Sequence, residues 1–364
     1  MSDRMRRSTL LSPPHGALPS LEFTLPPHLE AGLPPEERGL RRDQVRLMVS
    51  YSRSQQVIHS SFERLPEFLS AGDVLVINTS RTRRAAVDAW RADGTALELH
   101  LSTHLPSCLW VVELRLPVEE GGMPFYTAEA GELFNLPGGG RAVLHSPYPE
   151  NPPRRRLWTA SLELPGPLEG FLEQHGFPIR YKYVRSAWPV EYYQNVYATE
   201  TGSAEMPSAG RAFTPELITK LVAQGVIFAP ILLHTGVASL EEDEQPYEEY
   251  YRVPASTASL VNLARASGKR VIAVGTTAVR ALQTVTGSDG IVRAGEGWTG
   301  LVITPGTRLL SMDGLLTGLH EPRSTHLSML VALGGYEHTR LAYRQALQQE
   351  YLWHEFGDLH LILP

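Results

Sequence analysis

Apolar and polar residues follow two different patterns along this chain. From about residue 213 onward, stretches with a helical period alternate with short apolar runs of strand length. Thr214 can cap the first of these helices, and Pro215 suits its first turn. Alternation of this kind is typical of a largely parallel sheet or barrel with helices packed against it. The predicted helices include TPELITKLVAQG, STASLVNLARASG and TRLAYRQALQQEY, and the predicted strands include VLVI, VIFAPILLHTG, KRVIAVG and GLVITPG.

Between about residues 86 and 157 the pattern changes. Short alternating stretches such as ALELHLS and LWVVELRL are separated by the turn-forming segments EEGGMP and NLPGGGRA. This is typical of a small antiparallel β unit, and the Pro-rich segment that ends in RRR returns the chain to the larger body. We therefore predict an α/β protein with a flexible N-terminal arm at 1–20, a main domain at 21–85 and 158–364, and an inserted β domain at 86–157.

Composition narrows the class of protein. The 364 residues are 42% hydrophobic and 20% charged, which is ordinary for a globular protein of one large or two smaller domains. A single cysteine, Cys108, excludes an internal disulfide framework and a cysteine-cluster metal site. The longest apolar stretch, GVIFAPILL, is far shorter than the roughly 20 residues of a membrane helix. We expect a cytoplasmic protein without a membrane span.

Polar residues follow several of the predicted strands at the point where each strand ends. In parallel sheets, ligands bind at the carboxyl ends of the strands, so these residues are the first candidates for a site. They are Asn78, Thr79, Ser80 and Arg81 after VLVI, His234 and Thr235 after ILL, and Thr276, Thr277 and Arg280 after VIAVG.

The segment GLHEPRSTHLSMLV adds a predicted helix start to this set. Ser324 or Thr325 can cap the helix, and free backbone N–H groups at such a terminus favour a carboxylate or phosphate. Capping alone explains the two hydroxyl residues equally well at this point. No nucleotide-binding glycine motif, nucleophile elbow or zinc-protease motif is present, and His100, His104, His145 and His175 lack metal-ligand spacing. The residues alone thus predict a metal-free α/β enzyme with a polar or anionic substrate.

Longer blocks of sequence resemble one known family. The blocks include AGDVLVINTSRTRRAAV, GKRVIAVGTTAVRAL, DGLLTGLHEPRSTHLSMLVALGG and AYRQALQQEYLWHEFGDLHLIL. Their order and spacing resemble the S-adenosylmethionine:tRNA ribosyltransferase-isomerase family of queuosine biosynthesis, from about residue 21 to the end. The resemblance implies a barrel-like α/β main domain with an inserted small antiparallel β-barrel domain.

The resemblance also implies a reaction. The family moves the ribosyl part of S-adenosylmethionine onto the aminomethyl group of a 7-deazaguanine in the tRNA anticodon. Adenine and methionine leave, and epoxyqueuosine is formed. S-adenosylmethionine is then a co-substrate, tRNA is the partner, and the sulfonium supplies the activation, so no metal is expected. The site must hold a base for the carbon beside the sulfonium, a donor for the departing adenine, and an anchor for the methionine carboxylate.

The resemblance assigns roles to the polar residues. We expect His234, Glu249 and His320 to be the proton-transfer or polar-contact residues. We expect substrate contacts from Asn78, Arg81, Thr276, Thr277, Arg280, Asp313, Ser324 and Thr325. Basic residues for the tRNA backbone would be Arg81, Arg83 and Arg84. Tyr192, Tyr193 or Trp298 could stack on a base, but the role first expected of each is packing in the core.

Several polar residues of the family pattern are replaced in this chain. Thr79 stands where the family has an Asp, Gly32 where it has a Gln, and Ala212 and Tyr247 where it has His. Two hypotheses remain open on the sequence alone. The chain is a divergent ribosyltransferase-isomerase, or it is a diverged relative that binds a nucleoside or RNA without ribosyl transfer.

Overall fold

The computed structural model describes residues 21–117, 122–149, 155–237 and 247–364. The predicted arm at 1–20 lies outside the described residues. The strands are β1 Arg46–Tyr51, β2 Gln56–Ser61, β3 Val74–Asn78, β4 Ser80–Thr82, β5 Ala86–Trp90, β6 Ala96–His104, β7 Trp110–Leu116, β8 Met123–Pro124, β9 Leu133–Asn135, β10 Arg141–Tyr148, β11 Leu157–Glu163, β12 Glu200–Ser203, β13 Ile227–Leu233, β14 Glu249–Val253, β15 Val271–Val274, β16 Gly295–Thr299, β17 Gly314–Gly318 and β18 Leu359–Leu363. The α-helices are α1 Leu168–His175, α2 Pro215–Ala223, α3 Ala255–Ala266, α4 Thr276–Thr284, α5 Thr325–Gly334 and α6 Tyr336–Gln348.

The main domain is built on one nine-stranded sheet. The strand order is β16-β14-β13-β3-β15-β17-β18-β1-β2. The central neighbours β13, β3, β15 and β17 are parallel, as are β18 and β1. The remaining four pairs are antiparallel, so the sheet is mixed and not largely parallel as the alternation predicted. The parallel centre is the part that positions the polar strand ends.

Side chains of the central strands are buried on both faces of this sheet. In β3, Val74 and Val76 pack into one hydrophobic cluster, whereas Leu75 and Ile77 pack into another. Successive side chains of a strand point to opposite faces, so this division places a core on each side. The continuous apolar sequence of β3 follows from burial on both faces.

Most of the predicted elements of the main domain are confirmed. Thr214 caps α2, and its hydroxyl accepts a hydrogen bond from the backbone N–H of Leu217 at 3.1 Å. The prediction of a strand in GLVITPG was wrong. This segment forms a loop and a turn, in which the N–H of Leu301 donates to the Thr299 hydroxyl and the N–H of Thr307 donates to the carbonyl of Thr304. The strand lies just before it, in β16.

The inserted domain is a closed antiparallel barrel. Six strands pair in the cyclic order β5, β6, β7, β11, β10 and β9, and β5 pairs with β9 to complete the circle. Its core contains Trp158 and Phe134, and Phe171 and Leu172 of α1 pack into the same cluster. The predicted fold class, an α/β protein with an inserted small antiparallel β-barrel domain, is confirmed.

The contacts of the barrel bear on the domain boundaries. The predicted end at residue 157 falls on the first residue of β11, which pairs with both β7 and β10. Helix α1 follows β11 and buries its apolar face against the barrel. We propose that the inserted unit spans residues 86–175, and that the main domain resumes after α1.

Candidate functional site

Four parallel strands end at one edge of the main sheet. Because β13, β3, β15 and β17 are neighbours and parallel, their carboxyl ends open onto the same region. Asn78 is the last residue of β3, and His234 directly follows β13. Thr276 begins α4 two residues after β15, and His320 lies two residues after β17. The fold therefore brings together the strand ends that the sequence singled out.

Asn78 holds two of these strand ends in register. The side-chain Nδ2 of Asn78 donates to the backbone carbonyl of Leu233 at 2.8 Å. The side-chain Oδ1 of Asn78 accepts from the backbone N–H of Leu233 at 3.0 Å. The amide also donates to the Thr277 hydroxyl at 3.3 Å. Asn78 is fully buried, and these bonds occupy both of its polar atoms. Asn78 therefore holds the strand ends and the start of α4 in position, and we do not expect it to contact a ligand.

His234 is fixed by two serine hydroxyl groups. Its Nδ1 is hydrogen-bonded to Ser80 Oγ at 2.8 Å, and Ser80 Oγ is hydrogen-bonded to Ser203 Oγ at 2.6 Å. The N–H of Thr235 donates to Ser203 Oγ at 3.0 Å. Nδ1 is thereby occupied, which leaves Nε2 as the nitrogen able to exchange a proton with a ligand. We call Ser80, Gly202, Ser203 and His234 the His234 corner.

The absence of a side chain at Gly202 leaves room for the imidazole of His234. A Cβ atom on this residue would lie 2.2 Å from Cε1 of His234 and 2.4 Å from Nε2, well inside contact distance. The bare backbone of β12 therefore lies directly against the ring. Strand β12 reaches this position by pairing in parallel with β4, which places Glu200 beside Ser80.

The surroundings keep His234 uncharged. Burial lowers the pKa of His234 to about 4, an effect that Glu200 opposes and that Arg83 and Arg252 reinforce. A neutral imidazole has a lone pair that can accept a proton, but a pKa of about 4 makes it a weaker base than an unperturbed histidine. The ring stacks on Tyr250 at a centroid distance of 5.9 Å.

Glu249 and Arg280 form an ion pair whose polar atoms are taken up by the protein. One carboxylate oxygen of Glu249 accepts from the N–H of Gly236 at 2.8 Å, and the other accepts from Arg280. The other guanidinium nitrogens of Arg280 donate to the carbonyls of Leu301 and Thr299, each at 3.1 Å. The geometry therefore favours a positioning role for this pair over the predicted proton transfer and anion binding.

His320 lies in a second group of imidazoles. Its Nε2 is 2.7 Å from the Thr317 hydroxyl, and its ring stacks on His326 at 4.7 Å with an interplanar angle of 15°. Burial lowers the pKa of His320 well below its usual value, and the neighbouring His326 and His354 add to this. Burial and the nearby Arg280 lower the pKa of His326 to about 4. We call Thr317, His320, His326 and His354 the His320 corner.

The two corners are joined through α4. Thr277, in its first turn, contacts Asn78, which is bound to Ser80 of the His234 corner. Arg280, one turn later, is close enough to His326 to lower its pKa. The predicted residues at the carboxyl edge thus belong to one connected region.

Helices α4 and α5 begin where the sequence predicts, but the predicted capping bond from Ser324 is not formed. Ser324 is the N-cap residue of α5, yet its side chain makes no capping bond and its buried hydroxyl has no partner in the described part of the chain. Thr325 is the first residue of α5, and Thr276 and Thr277 are the first two of α4. The first turn of a helix leaves backbone N–H groups free for an anion.

Of the predicted contact residues, Asp313 lies away from this region and Arg81 lies at its exposed side. Asp313 directly precedes β17, where its carboxylate accepts from the N–H of Val271 at 2.9 Å and its own N–H donates to the carbonyl of Val271. Asp313 therefore closes the amino edge of the sheet, opposite the site, and the expectation of substrate contact does not fit its position. Arg81 has its side chain exposed to solvent, on β4 beside the His234 corner.

Some of the residues proposed for RNA contact are bound within the protein, whereas others are exposed to solvent. Arg83 pairs with Glu169 at 3.2 Å, and Arg84 donates to the carbonyl of Glu173 at 2.7 Å, so both guanidinium groups hold α1. Tyr193 is buried against Phe356. Tyr192 is half-buried and its hydroxyl is bound to Glu37, whereas Trp298 is 38% exposed and contacts Tyr250 edge-on.

The positions that depart from the family pattern have local explanations. The Thr79 hydroxyl donates to the carbonyl of Ile231 at 3.0 Å, so it serves the strand pairing. A Cβ on Gly32 would lie 2.2 Å from the carbonyl oxygen of Tyr183, which excludes a side chain there. Tyr247 joins the main domain to the barrel, because its hydroxyl contacts Ser102 and donates to the carbonyl of Val237.

A cleft and a possible ligand set border the His320 corner. The cleft includes Arg42, Arg211, Gly318, His354 and Glu355 in its lining. Beside it, Glu30, Glu321 and His354 each offer one ligand atom, and these atoms all lie within 4.8 Å of one another. This is the group in the described residues with the geometry to hold a metal ion.

Sequence reasoning missed several residues that shape the site. Gly202 and Ser203 lie in the segment ETGSAEM, which has no strand periodicity, and their role depends on the pairing of β12 with β4. His326 was visible in the sequence, but its position on the inner side of α5 follows from the fold. Ser80 follows a predicted strand in the sequence, but nothing in the sequence predicts its contact with His234.

Comparison with known proteins gives a consistent family. Residues 18–362 match the family model described as "Queuosine biosynthesis protein". The chain is 37% identical over 358 residues to the S-adenosylmethionine:tRNA ribosyltransferase-isomerase of Moorella thermoacetica, covering 94% of this chain and 98% of the relative. It is 36% identical over 351 residues to the enzyme of the same name from Thermus thermophilus, covering 91% of this chain and 97% of the relative.

A solved structure agrees with this result. The crystal structure of the S-adenosylmethionine tRNA ribosyltransferase of Thermotoga maritima superposes with a TM-score of 0.52 at 29% identity, covering 94% of this chain and 99% of that one. No described helix has the length and apolar character needed to cross a membrane. The matches extend over nearly the whole chain and include both the main sheet and the inserted barrel. The chain belongs to the queuosine biosynthesis family of S-adenosylmethionine:tRNA ribosyltransferase-isomerases.

Proposed function

We propose that this protein transfers and isomerises the ribosyl group of S-adenosylmethionine onto 7-aminomethyl-7-deazaguanine in the anticodon region of tRNA. Adenine and methionine are released, and epoxyqueuosine is formed in the tRNA. Membership of the family over nearly the full length supports this reaction. The proposal rests on one observation. At the carboxyl edge of the sheet, the imidazole of His234 is uncharged and is held by a hydrogen bond at Nδ1.

His234 is the base in this proposal. In the tautomer with the proton on Nδ1, His234 donates to Ser80 Oγ, and the Ser80 hydroxyl donates to Ser203. Nε2 is then the lone-pair nitrogen and takes the proton from the carbon beside the sulfonium. The adjacent positive sulfur acidifies that carbon, so the step needs no metal. General-base help of this kind typically contributes about 10²–10⁴-fold to a rate.

The remaining polar groups have binding and positioning roles. The first turns of α4 and α5 present backbone N–H groups beside Thr276, Thr277, Ser324 and Thr325, which suit the methionine carboxylate and the ribose hydroxyls. His320 lines the inner wall as a neutral polar contact. Glu249 and Arg280 hold the loop after β13 in place.

The exposed flank of the His234 corner is the proposed approach for tRNA. Arg81 is exposed there, the partly exposed Tyr250 stacks on His234, and Trp298 packs edge-on against Tyr250. A cation for phosphate and a ring for base stacking are the two elements of single-stranded RNA recognition. We propose a cytoplasmic location, because the tRNA substrate is found there.

The decisive experiment is adenine release. The purified protein is incubated with S-adenosylmethionine and tRNA that carries the aminomethyl deazaguanine, and free adenine and the mass of the modified nucleoside are followed over time. We expect one adenine for each epoxyqueuosine formed, and no release without the modified tRNA. Unmodified tRNA of the same sequence is the matched control.

The competing hypothesis predicts a different outcome. The replacement of family polar residues by Thr79, Ala212 and Tyr247 favours a relative that binds a nucleoside or RNA without transfer. In that case calorimetry detects binding of S-adenosylmethionine or tRNA while adenine remains at background. That result would overturn the proposed transfer and leave the binding function in its place.

A further inference from the structure

We propose that Glu30, Glu321 and His354 form a binding site for one divalent transition-metal ion, and we name Zn²⁺ as the expected ion. The three side chains come from segments that are distant in the sequence, which is why ligand spacing could not reveal them. Glu30 follows a short 3₁₀ helix near the start, Glu321 follows β17, and His354 precedes β18. Their ligand atoms all lie within 4.8 Å of one another.

The distances between these atoms suit a shared ion better than hydrogen bonds. His354 Nε2 is 3.4 Å from an oxygen of Glu30 and 3.9 Å from an oxygen of Glu321. The contact with Glu30 is a long hydrogen bond and the one with Glu321 is beyond hydrogen-bonding distance, since N–H···O bonds usually span about 2.7–3.2 Å. With metal–ligand bonds of about 2.0–2.2 Å in tetrahedral geometry, two ligand atoms lie roughly 3.3–3.6 Å apart. The triangle therefore needs only small side-chain rotations to close on an ion.

One buried tryptophan holds all three ligand segments together. The N–H of Trp353 donates to the carbonyl of Leu29 at 2.8 Å, and its own carbonyl accepts from the N–H of Ala31 at 3.2 Å, so it binds both neighbours of Glu30. Its indole N–H donates to the carbonyl of His320 at 3.0 Å, one residue before the exposed carboxylate ligand. The histidine ligand is the residue next to Trp353. The ligand backbones are thus preorganised by bonds that do not involve the ligands themselves.

The histidine ligand is itself held in a fixed orientation. The ring of His354 lies flat on Tyr183, with a centroid distance of 3.9 Å and an interplanar angle of 9°. Its backbone has a φ of 71°, a left-handed conformation that non-glycine residues adopt mainly where the surroundings demand it. Both features aim Nε2 at the two carboxylates.

The charges at this place favour a cation. Two carboxylates and one imidazole lie together here, and both side-chain types are ligands of divalent transition metals. In the described part of the chain, the ion-pair contacts of Glu30 and Glu321 are both with His354. Imidazole with carboxylates suits Zn²⁺, and three protein ligands leave a further position open. The ion would tie the loop that carries His320 to the segments before β18 and after the first 3₁₀ helix.

The test is metal binding by the full-length, tag-free protein after treatment with EDTA and dialysis. Calorimetry with Zn²⁺ is expected to show one equivalent bound, and Co²⁺ is expected to give the absorption bands of a four- or five-coordinate ion. Glu321→Gln and His354→Gln should each weaken Zn²⁺ binding at least tenfold. His28→Gln, which alters an exposed histidine–carboxylate pair with Glu350 at 3.9 Å, is the matched control and should bind as the wild type does.

The variants also separate a metal site from general surface binding. Glu321 is 59% exposed, so its substitution by Gln leaves the fold intact even where His354→Gln does not. At one Zn²⁺ concentration, the melting temperature of the wild type and of the His28 variant should rise by the same amount, and that of Glu321→Gln should rise by less. Equal Zn²⁺ affinity of wild type and Glu321→Gln, or equal loss in the His28 variant, would overturn the proposal. Neither outcome bears on ribosyl transfer, which the adenine assay measures separately.

Discussion

The His234 corner and the His320 corner use histidine in opposite ways. In the first, one imidazole is held by Ser80 through Nδ1 and stacks on the partly exposed Tyr250, which in turn contacts Trp298. In the second, His320 and His326 stack on each other, and His320 is tied through Thr317. In the proposed function, the first corner exchanges a proton and the second forms a wall of the site.

The difference cannot be read from charge alone. Burial lowers the pKa of His234 and of His326 to about 4, so both imidazoles are neutral at pH 7. What distinguishes them is the neighbour of each ring: Ser80 holds Nδ1 of His234, whereas His326 stacks on His320. A lowered pKa marks a buried histidine, whereas an anchored ring with one open nitrogen marks a base.

The strongest test of this assignment is His234→Ala. Loss of the base should lower the rate of adenine release by about 10²–10⁴-fold while the protein remains folded. Binding of S-adenosylmethionine, measured by calorimetry, should change little, because the anchor for the methionine carboxylate lies in the helix starts. His28→Ala, an exposed histidine outside the site, is the control. A His234→Ala rate within twofold of the wild type would exclude His234 as the base.

The His320 corner should appear instead in the acid stability of the fold. His326 has its folded-state pKa at about 4, below the unfolded value near 6.5, so the folded protein binds fewer protons than the unfolded chain between these values. Its contribution is present above pH 6.5 and is lost as the pH falls toward 4, by up to about 3 kcal/mol. His326→Leu should flatten the fall in the free energy of unfolding, measured by urea denaturation from pH 7 to 4. A slope equal to that of the wild type would contradict this.

The sequence predicted more of the fold than of the candidate site. The two-sided apolar pattern of β3 and the cap at Thr214 are local, and local rules predicted them correctly. The convergence of strand ends also followed from the parallel order of β13, β3 and β15. Gly202, by contrast, acquires its role only because β12 pairs with β4, more than a hundred residues earlier in the chain. Contacts of that range depend on packing that no local pattern encodes.

A smaller effect is expected from Ser80→Ala. This change removes the hydroxyl that anchors Nδ1 of His234 and connects it to Ser203, but it leaves the imidazole in place against Gly202. A hydrogen bond of this type contributes about 1 kcal/mol, so the rate should fall roughly fivefold to tenfold. The loss should be in kcat and not in the KM for S-adenosylmethionine. Ser60→Ala, in β2 on the other side of the sheet, is the control; an equal loss in both variants would point to a general effect on stability.

The smallest effect in this series concerns the open flank of the His234 corner. Trp298 is 38% exposed beside Tyr250, and a base stacked on its ring would contribute about 1–3 kcal/mol to tRNA affinity. We expect Trp298→Ala to weaken tRNA binding by roughly fivefold, at the lower end of that range, because Tyr250 still offers a ring. Trp298→Phe should retain most of the affinity, and S-adenosylmethionine binding should be unchanged in both variants. If Trp298→Ala binds tRNA as tightly as the wild type, the RNA reaches His234 from another side, and the contrast between an open and an enclosed corner then rests on the hydrogen bonds alone.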